Sequence, residues 1–184
     1  MSVIGVVASA AGGLDELTDG LIRPLVAAGH QPAITFTPTA VSWVPATTIA
    51  ELGRLTGLPV RSQPRLPGEP KPHPPIDVFV AAPASANTVA KLALGIADNQ
   101  ALTVLVEALG STPMVVLPRV NAAHARHPAW AGHLAVLRKA GVRLELHEPR
   151  EAAGRPLPWD RVLRVLADEL GLDDRRRAAG GGDG

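Results

Sequence analysis

Residues 78–99 read VFVAAPASANTVAKLALGIADN, and this stretch decides the fold. Val78 to Ala82 form an apolar run with the character of a buried strand, broken at Pro83. Ser85, Asn87 and Thr88 then open a helical segment. A strand ending in small polar groups at a helix start offers backbone N–H groups and hydroxyls to an anion, as open parallel sheets do. The same residues also suffice for an ordinary N-cap, which any one of them can supply.

Outward from this stretch, apolar runs alternate with longer segments of helical period, the pattern of a parallel sheet with crossover helices. Strands are expected at 3–8, near 33–37, at 59–61, 76–82, 114–117 and 142–146. Leu14, Leu17, Leu21, Leu25 and Val26 recur at helical spacing, and Gly29 reads as the helix stop. Further helical segments are expected at 46–55, 86–109, 129–140 and 159–170, with a proline-rich, exposed loop at 63–75. The predicted fold class is α/β, a three-layer αβα sandwich around a parallel, doubly wound, Rossmann-like sheet. One domain is expected over 1–172, followed by a disordered tail at 173–184, DRRRAAGGGDG after Asp173.

The chain has 184 residues, enough for one domain that buries roughly 70% of its unfolded surface. A net charge of +1 gives no electrostatic case for nucleic acid or an anionic membrane, so neither partner is expected. Cysteine is absent, which excludes disulfides, thiolate metal sites and a cysteine nucleophile; no metal site is expected. No basic, apolar leader precedes Val3, and no apolar run nears the roughly 20 residues of a membrane span, so the expected location is cytoplasmic.

Three other strand ends carry candidate chemistry. Ser9 and Ala10 lie in the turn ASAAGG (8–13), whose small residues allow a phosphate or ring close to the backbone, or simply make a tight turn. It is not GxGxxG, and no acidic residue ends the second strand, so a dinucleotide reading is weak. Thr37 and Thr39, in TPTAVSWVP (37–45), can donate hydroxyls to a phosphate or cap the next helix; Trp43 is expected in the core. Asn121, His124 and Arg126, in LPRVNAAHARHP (117–128), offer donors suited to an anion, or form a solvated polar loop.

Taken together, PASANT…GIADN, TPTAVSWVP and PRVNAAHARHP resemble motifs of the flavin-containing cysteine decarboxylases. These include phosphopantothenoylcysteine decarboxylase and enzymes that oxidatively decarboxylate peptide C-terminal cysteines. The resemblance spans residues 3 to about 145 and implies FMN as cofactor. It implies Ser9, Ala10, Thr37, Thr39, Ser85, Ala86, Asn87 and Thr88 as flavin contacts, and Asn121 as the anchor of a substrate carboxylate. Arg119 and Arg126 are candidate aids in holding that substrate. The implied substrate is a small molecule or a peptide with a C-terminal carboxylate, and the implied assembly is a homo-oligomer, a trimer or a dodecamer.

The chain also departs from the pattern. Val120 stands for the family's Met, and His124-Ala125 for Met-Trp. Glu69 occupies the position of the catalytic His; His73, boxed by Pro72 and Pro74, and His124 are the candidate bases. A Cys/Gly-rich flap is replaced by HEPREAAGR (147–155). Asp98 is expected to act as a cap or structural acceptor. The leading expectation is an FMN-dependent decarboxylase or oxidoreductase. The alternative is a non-catalytic FMN-binding or regulatory protein that has lost the decarboxylase His. Flavin prenyltransferase, which shares the fold, is disfavoured because no cluster of basic and aromatic residues is present for a prenyl phosphate.

Overall fold

A computed structural model describes residues 1–146 and 156–180, with 172–180 as backbone only. Five strands form one sheet: β1 (Val3–Ala8), β2 (Gln31–Phe36), β3 (Val78–Ala84), β4 (Met114–Pro118) and β5 (Arg143–Leu144). Their spatial order is β2-β1-β3-β4-β5, and every neighbouring pair runs parallel. Because the chain winds outward in opposite directions from β1 and β3, the switch in strand order lies between these two strands.

Helices cover both faces. A π-helical turn (Thr18–Ile22) running into α1 (Arg23–Ala27), α3 (Ala46–Thr56) and α8 (Trp159–Gly180) belong to one side; α4 (Ala86–Leu94), α5 (Gln100–Ala108) and α7 (Trp130–Lys139) belong to the other. The division follows from the pleat of the strands. Ile4, Val6 and Ala8 of β1 join Leu17, Leu21, Leu52 and Val162 in one core, whereas Val7 joins Val89, Leu92, Leu102, Leu105 and Leu137 in the other. Two short helices, α2 (Pro38–Trp43) and α6 (Ala122–Ala125), follow β2 and β4 directly. The three-layer, doubly wound sandwich expected from the sequence is the observed architecture.

Local chemistry explains where boundaries differ. Pro24 cannot donate to the carbonyl of Gly20, so a regular α-helix through 14–26 would leave that group unpaired. The chain instead closes a wider turn, with Arg23 N–H donating to the Thr18 carbonyl. The expected strand at 59–61 is reduced to a single bridge between Thr35 and Arg61, since Pro59 offers no donor and Pro64 ends the pairing. The strand expected to break at Pro83 continues to Ala84, and Pro83 is tolerated because the β3–β4 register shifts between Ala81 and Ala84. The single helical stretch at 86–109 divides at Gly95 (φ 70°), after which Asn99 caps α5 through Leu102 N–H at 3.1 Å. The last helix is described through Gly180, beyond the Leu170 read from the sequence.

One long-range clasp joins the ends of the described chain. Glu16 Oε2 accepts from Leu157 N–H at 2.9 Å and from Trp159 Nε1–H at 3.0 Å. Gly20 makes room for the same indole, since a Cβ there would lie 2.3 Å from Trp159 Cδ1.

Candidate functional site

The carboxyl ends of β1 and β3 bring together residues far apart in the chain. Ser9 and Thr88 are each 2% exposed, and their hydroxyl oxygens lie 2.8 Å apart. Ser85 Oγ lies 3.2 Å from Thr88 Oγ1 and also accepts from Thr88 N–H at 3.3 Å, so Ser85 is the N-cap of α4. Ser9 N–H donates to the Pro83 carbonyl at 2.9 Å, which locks the first turn onto the end of β3. Three hydroxyls therefore converge at the switch point, at the positive end of a nine-residue helix.

The flanking turns sit around this cluster. Thr37 N–H donates to the Ala8 carbonyl at 3.0 Å, and Thr37 Oγ1 caps α2 by accepting from Ala40 N–H at 3.2 Å. Thr37 is buried, whereas Thr39 is exposed and its carbonyl accepts from Ser42 Oγ. Ala10 and Ala86 are half-buried, and Asn87 is exposed. On the other flank, Arg119 is 7% exposed, and its N–H donates to the Ala84 carbonyl at 2.7 Å. Asn121 Oδ1 accepts from His124 N–H at 2.9 Å as the N-cap of α6. That bond uses the carbonyl of the amide and leaves the NH2 group for another acceptor. Asn121, His124 and Arg126 are all exposed.

His73 is not among the groups gathered there. It lines a separate cavity of about 1010 Å³ against the face of β1 and β2, with Arg61, Phe79 and Thr103. Its Nε2 lies 2.8 Å from the Pro59 carbonyl and so carries the proton. Burial pushes the His73 pKa down; the Pro59 bond opposes this, and nearby Arg61 adds to it. Glu69, which the resemblance puts in the place of a catalytic His, folds into its own loop and accepts from Leu66 N–H at 2.8 Å. Asp98 is the structural acceptor expected of it. It pairs with Lys91, whose hydrogen bond is the main cause of its lowered pKa, and accepts from Asn99.

Trp43 corrects an expectation. Read as core, it is 60% exposed, because α2 follows directly from the edge strand β2 and Ala40 supplies its buried contact. The indole stands at a second cavity, of about 490 Å³, which the sequence did not disclose. The only signal for it was a bulky aromatic residue at the end of a hydroxyl-rich turn. Residues 147–155, read as a replacement for the family's flap, lie outside the described residues. Among the described residues no helix is long and apolar enough to cross a membrane.

Comparison with known proteins agrees with this fold. The sequence profile of the Flavoprotein family matches residues 17–171. The chain is 35% identical over 79 residues to the Coenzyme A biosynthesis bifunctional protein CoaBC of Thermococcus kodakarensis. That match covers 43% of this chain and 19% of the relative, so the chain spans about a fifth of that protein's length. The crystal structure of HAL3 from Cryptococcus neoformans superposes with a TM-score of 0.73 at 20% identity, covering 94% of this chain and 97% of that one. The FMN-dependent cysteine decarboxylase TvaF of thioviridamide biosynthesis superposes with a TM-score of 0.71 at 25% identity, covering 93% and 99%. With the profile covering most of the sequence and the sheet, switch point and hydroxyl-bearing turns all in place, the chain belongs to the Flavoprotein family, related at modest identity to phosphopantothenoylcysteine decarboxylases and FMN-dependent cysteine decarboxylases.

Proposed function

We propose that the chain binds FMN across the carboxyl ends of β1 and β3 and uses it in the decarboxylation of a cysteinyl or similar carboxylate. The observation that carries this reading is the convergence of the Ser9, Ser85 and Thr88 hydroxyls from segments 79 residues apart, at the N-terminus of α4. These groups suit a phosphate-bearing ligand: the helix start and its free N–H groups favour a dianion, and the exposed Asn87 amide and Thr39 hydroxyl add donors. Ala10 and Ala86 leave the backbone open to close approach, and Thr37 holds the second turn in place. When bound, FMN supplies a two-electron acceptor.

The remaining work falls to the turn after β4. Asn121, with its carbonyl committed to His124 N–H, presents its NH2 group to a substrate carboxylate. Arg126, exposed on the same turn, orients the anionic end of the substrate, and the buried Arg119 adds positive charge beneath it. His124 is the candidate base on α6. His73, which lines the other cavity, would serve such a site only across an interface between copies in a homo-oligomer.

A second reading is a flavin-binding protein without turnover. It is favoured by Glu69, which the resemblance puts where the family carries its His and whose carboxylate is held inside its own loop. The absorption spectrum of the purified protein, with the released chromophore identified, tests both. FMN near one per chain, bleached anaerobically by a peptide ending in cysteine and no longer bleached in Asn121→Asp, is the result expected of the enzyme. FMN that no thiol-carboxylate bleaches supports the second reading. A colourless protein that takes up no added FMN overturns both.

A further inference from the structure

The cavity of about 1010 Å³ against β1 and β2 takes no part in the chemistry described above. It exists because of what the pleat presents on that face. Gly5 of β1 and Ala33 of β2 leave the space above them unfilled, and the proline-rich segment spans it from Pro64 to Pro75. Phe79 of β3 lies across Gly5, where a Cβ would come within 2.4 Å of Phe79 Cε1, so part of the lining is a flat phenyl ring. The opposite wall is α5, which contributes the Gln100 amide and the Thr103 hydroxyl. A planar ring stacks on such a surface, and the amide and hydroxyl offer polar partners for its edge.

Charge identifies the rest of the ligand. Arg61, Arg65 and Lys71 line the cavity against a single carboxylate, Glu107, and burial keeps His73 neutral near pH 7. Three positive groups against one negative leave a surplus of two, on a chain whose whole net charge is +1. None of the three cations has a carboxylate partner among the described residues. Arg61 donates to the Gln63 carbonyl and Arg65 to the Glu69 carbonyl, each at 2.8 Å, which commits one of the five N–H donors of each guanidinium. Glu69 lies between Arg65 and Lys71 in sequence, yet its carboxylate is turned to Leu66 N–H and does not line the cavity. Thr35 on β2 is 3% exposed, lines the cavity and makes no hydrogen bond through its hydroxyl to a described residue. A buried hydroxyl in that state is costly unless a ligand serves it. A phosphate monoester carries about two negative charges at neutral pH and accepts through several oxygens, which matches both the surplus and the free donors.

We propose that the cavity between the proline-rich segment and the β1–β2 face binds a phosphate monoester carrying a flat heteroaromatic ring, at a site apart from the switch point. Arg61, Arg65, Lys71 and the Thr35 hydroxyl hold the phosphate; the ring lies against Phe79 with its edge toward Gln100. FMN is itself a molecule of this kind, so the test keeps the two sites separate. Adenosine 5′-monophosphate (AMP) is titrated calorimetrically into the full chain with excess FMN present, and adenosine and inorganic phosphate are titrated alongside. AMP is expected to bind about tenfold or more tightly than either half alone, with FMN retained. Arg65→Glu combined with Lys71→Glu changes two exposed residues that have no carboxylate partner. This double variant is expected to weaken AMP about tenfold or more and to leave adenosine within about twofold. Thr35→Val, which keeps the side-chain shape, is expected to weaken AMP several-fold without lowering the melting temperature, because its hydroxyl serves no group of the protein itself. FMN content is expected to be the same in both variants.

No binding of AMP at millimolar concentration, or equal binding of AMP and adenosine, overturns the proposal. AMP binding that survives both variants unchanged overturns it too, as does AMP binding that releases FMN. A homo-oligomer that binds no AMP and that the charge reversal dissociates in sedimentation velocity gives this face to a second copy, and likewise overturns it. AMP binding with the expected dependences in a protein that takes up no FMN upholds the site and removes the decarboxylase reading alone.

Discussion

Thr88→Val tests whether the buried hydroxyls at the switch point act as one unit. The change keeps the side-chain shape and removes a hydroxyl that lies 2.8 Å from Ser9 Oγ and 3.2 Å from Ser85 Oγ. Ser85 is half-buried and can turn to water, but Ser9 is 2% exposed and is left with an orphaned hydroxyl. A net hydrogen bond contributes about 1 kcal/mol, and an unsatisfied buried polar group costs about 1–3 kcal/mol. The expected loss is therefore about 2 kcal/mol, or about 1 M in the urea midpoint for a slope of about 2 kcal/mol/M. Ser9→Ala is expected to lose less, about 1 kcal/mol, because Thr88 keeps Ser85 as a partner.

In the double variant nothing is orphaned, so the total should stay near 2 kcal/mol rather than reach about 3, a coupling of about 1 kcal/mol. Equilibrium urea unfolding of the flavin-free protein reads this directly and avoids stabilisation by ligand. Losses that add to within about 0.3 kcal/mol would refute the shared network.

Three further outcomes are expected. Glu16→Ala should destabilise by about 2–4 kcal/mol, since both donors it serves lose a charged acceptor, while Glu16→Gln should recover more than half of that; thermal unfolding of the two variants checks the order. Gly20→Ala should lower the melting temperature by at least several degrees despite the better helix propensity of alanine, because the new Cβ meets the Trp159 ring; an unchanged or higher value would contradict the contact. His73 has a folded pKa below its unfolded value, so the folded state binds the proton less readily. The stability it permits is present above about pH 6.5 and falls as the pH drops toward the folded pKa. His73→Gln should therefore narrow the gap between urea midpoints at pH 7.5 and pH 5.5, and an identical gap in the two proteins would refute the burial effect.

What the sequence disclosed and what it withheld divide along physical lines. The stretch from Val78 to Thr88 is legible because its information is local, a run of apolar residues and a capping Ser85, whereas the division of the helix at Gly95 and the cap at Asn99 are not read from the sequence. The turn at Asn121 reads from the sequence as a set of anion donors or a solvated loop, and the structure adds that Asn121 is the N-cap of the short α6. The 2.8 Å contact between Ser9 and Thr88 depends on two strands lying side by side, and no local rule reports that. Trp43 was misplaced because hydrophobicity favours burial, whereas its exposure depends on the position of α2 at the sheet edge. His73 is the histidine nearest in sequence to the place the resemblance gives a base, but its proline-flanked segment leads it to the Pro59 carbonyl instead.

The strand order also bears on how the chain is made. β1 leaves the ribosome first, yet it ends between β2 and β3, and Ile4 waits for Val78 before its second side is paired. Until then the nascent chain holds an apolar strand with one row of N–H and C=O groups open, a template for pairing with another copy. Fragments ending before β3 should therefore aggregate, whereas those reaching past Ala84 have closed that edge. Expression trials that truncate this protein, or fuse a partner near the proline-rich loop at 63–75, meet that hazard before any question of catalysis arises.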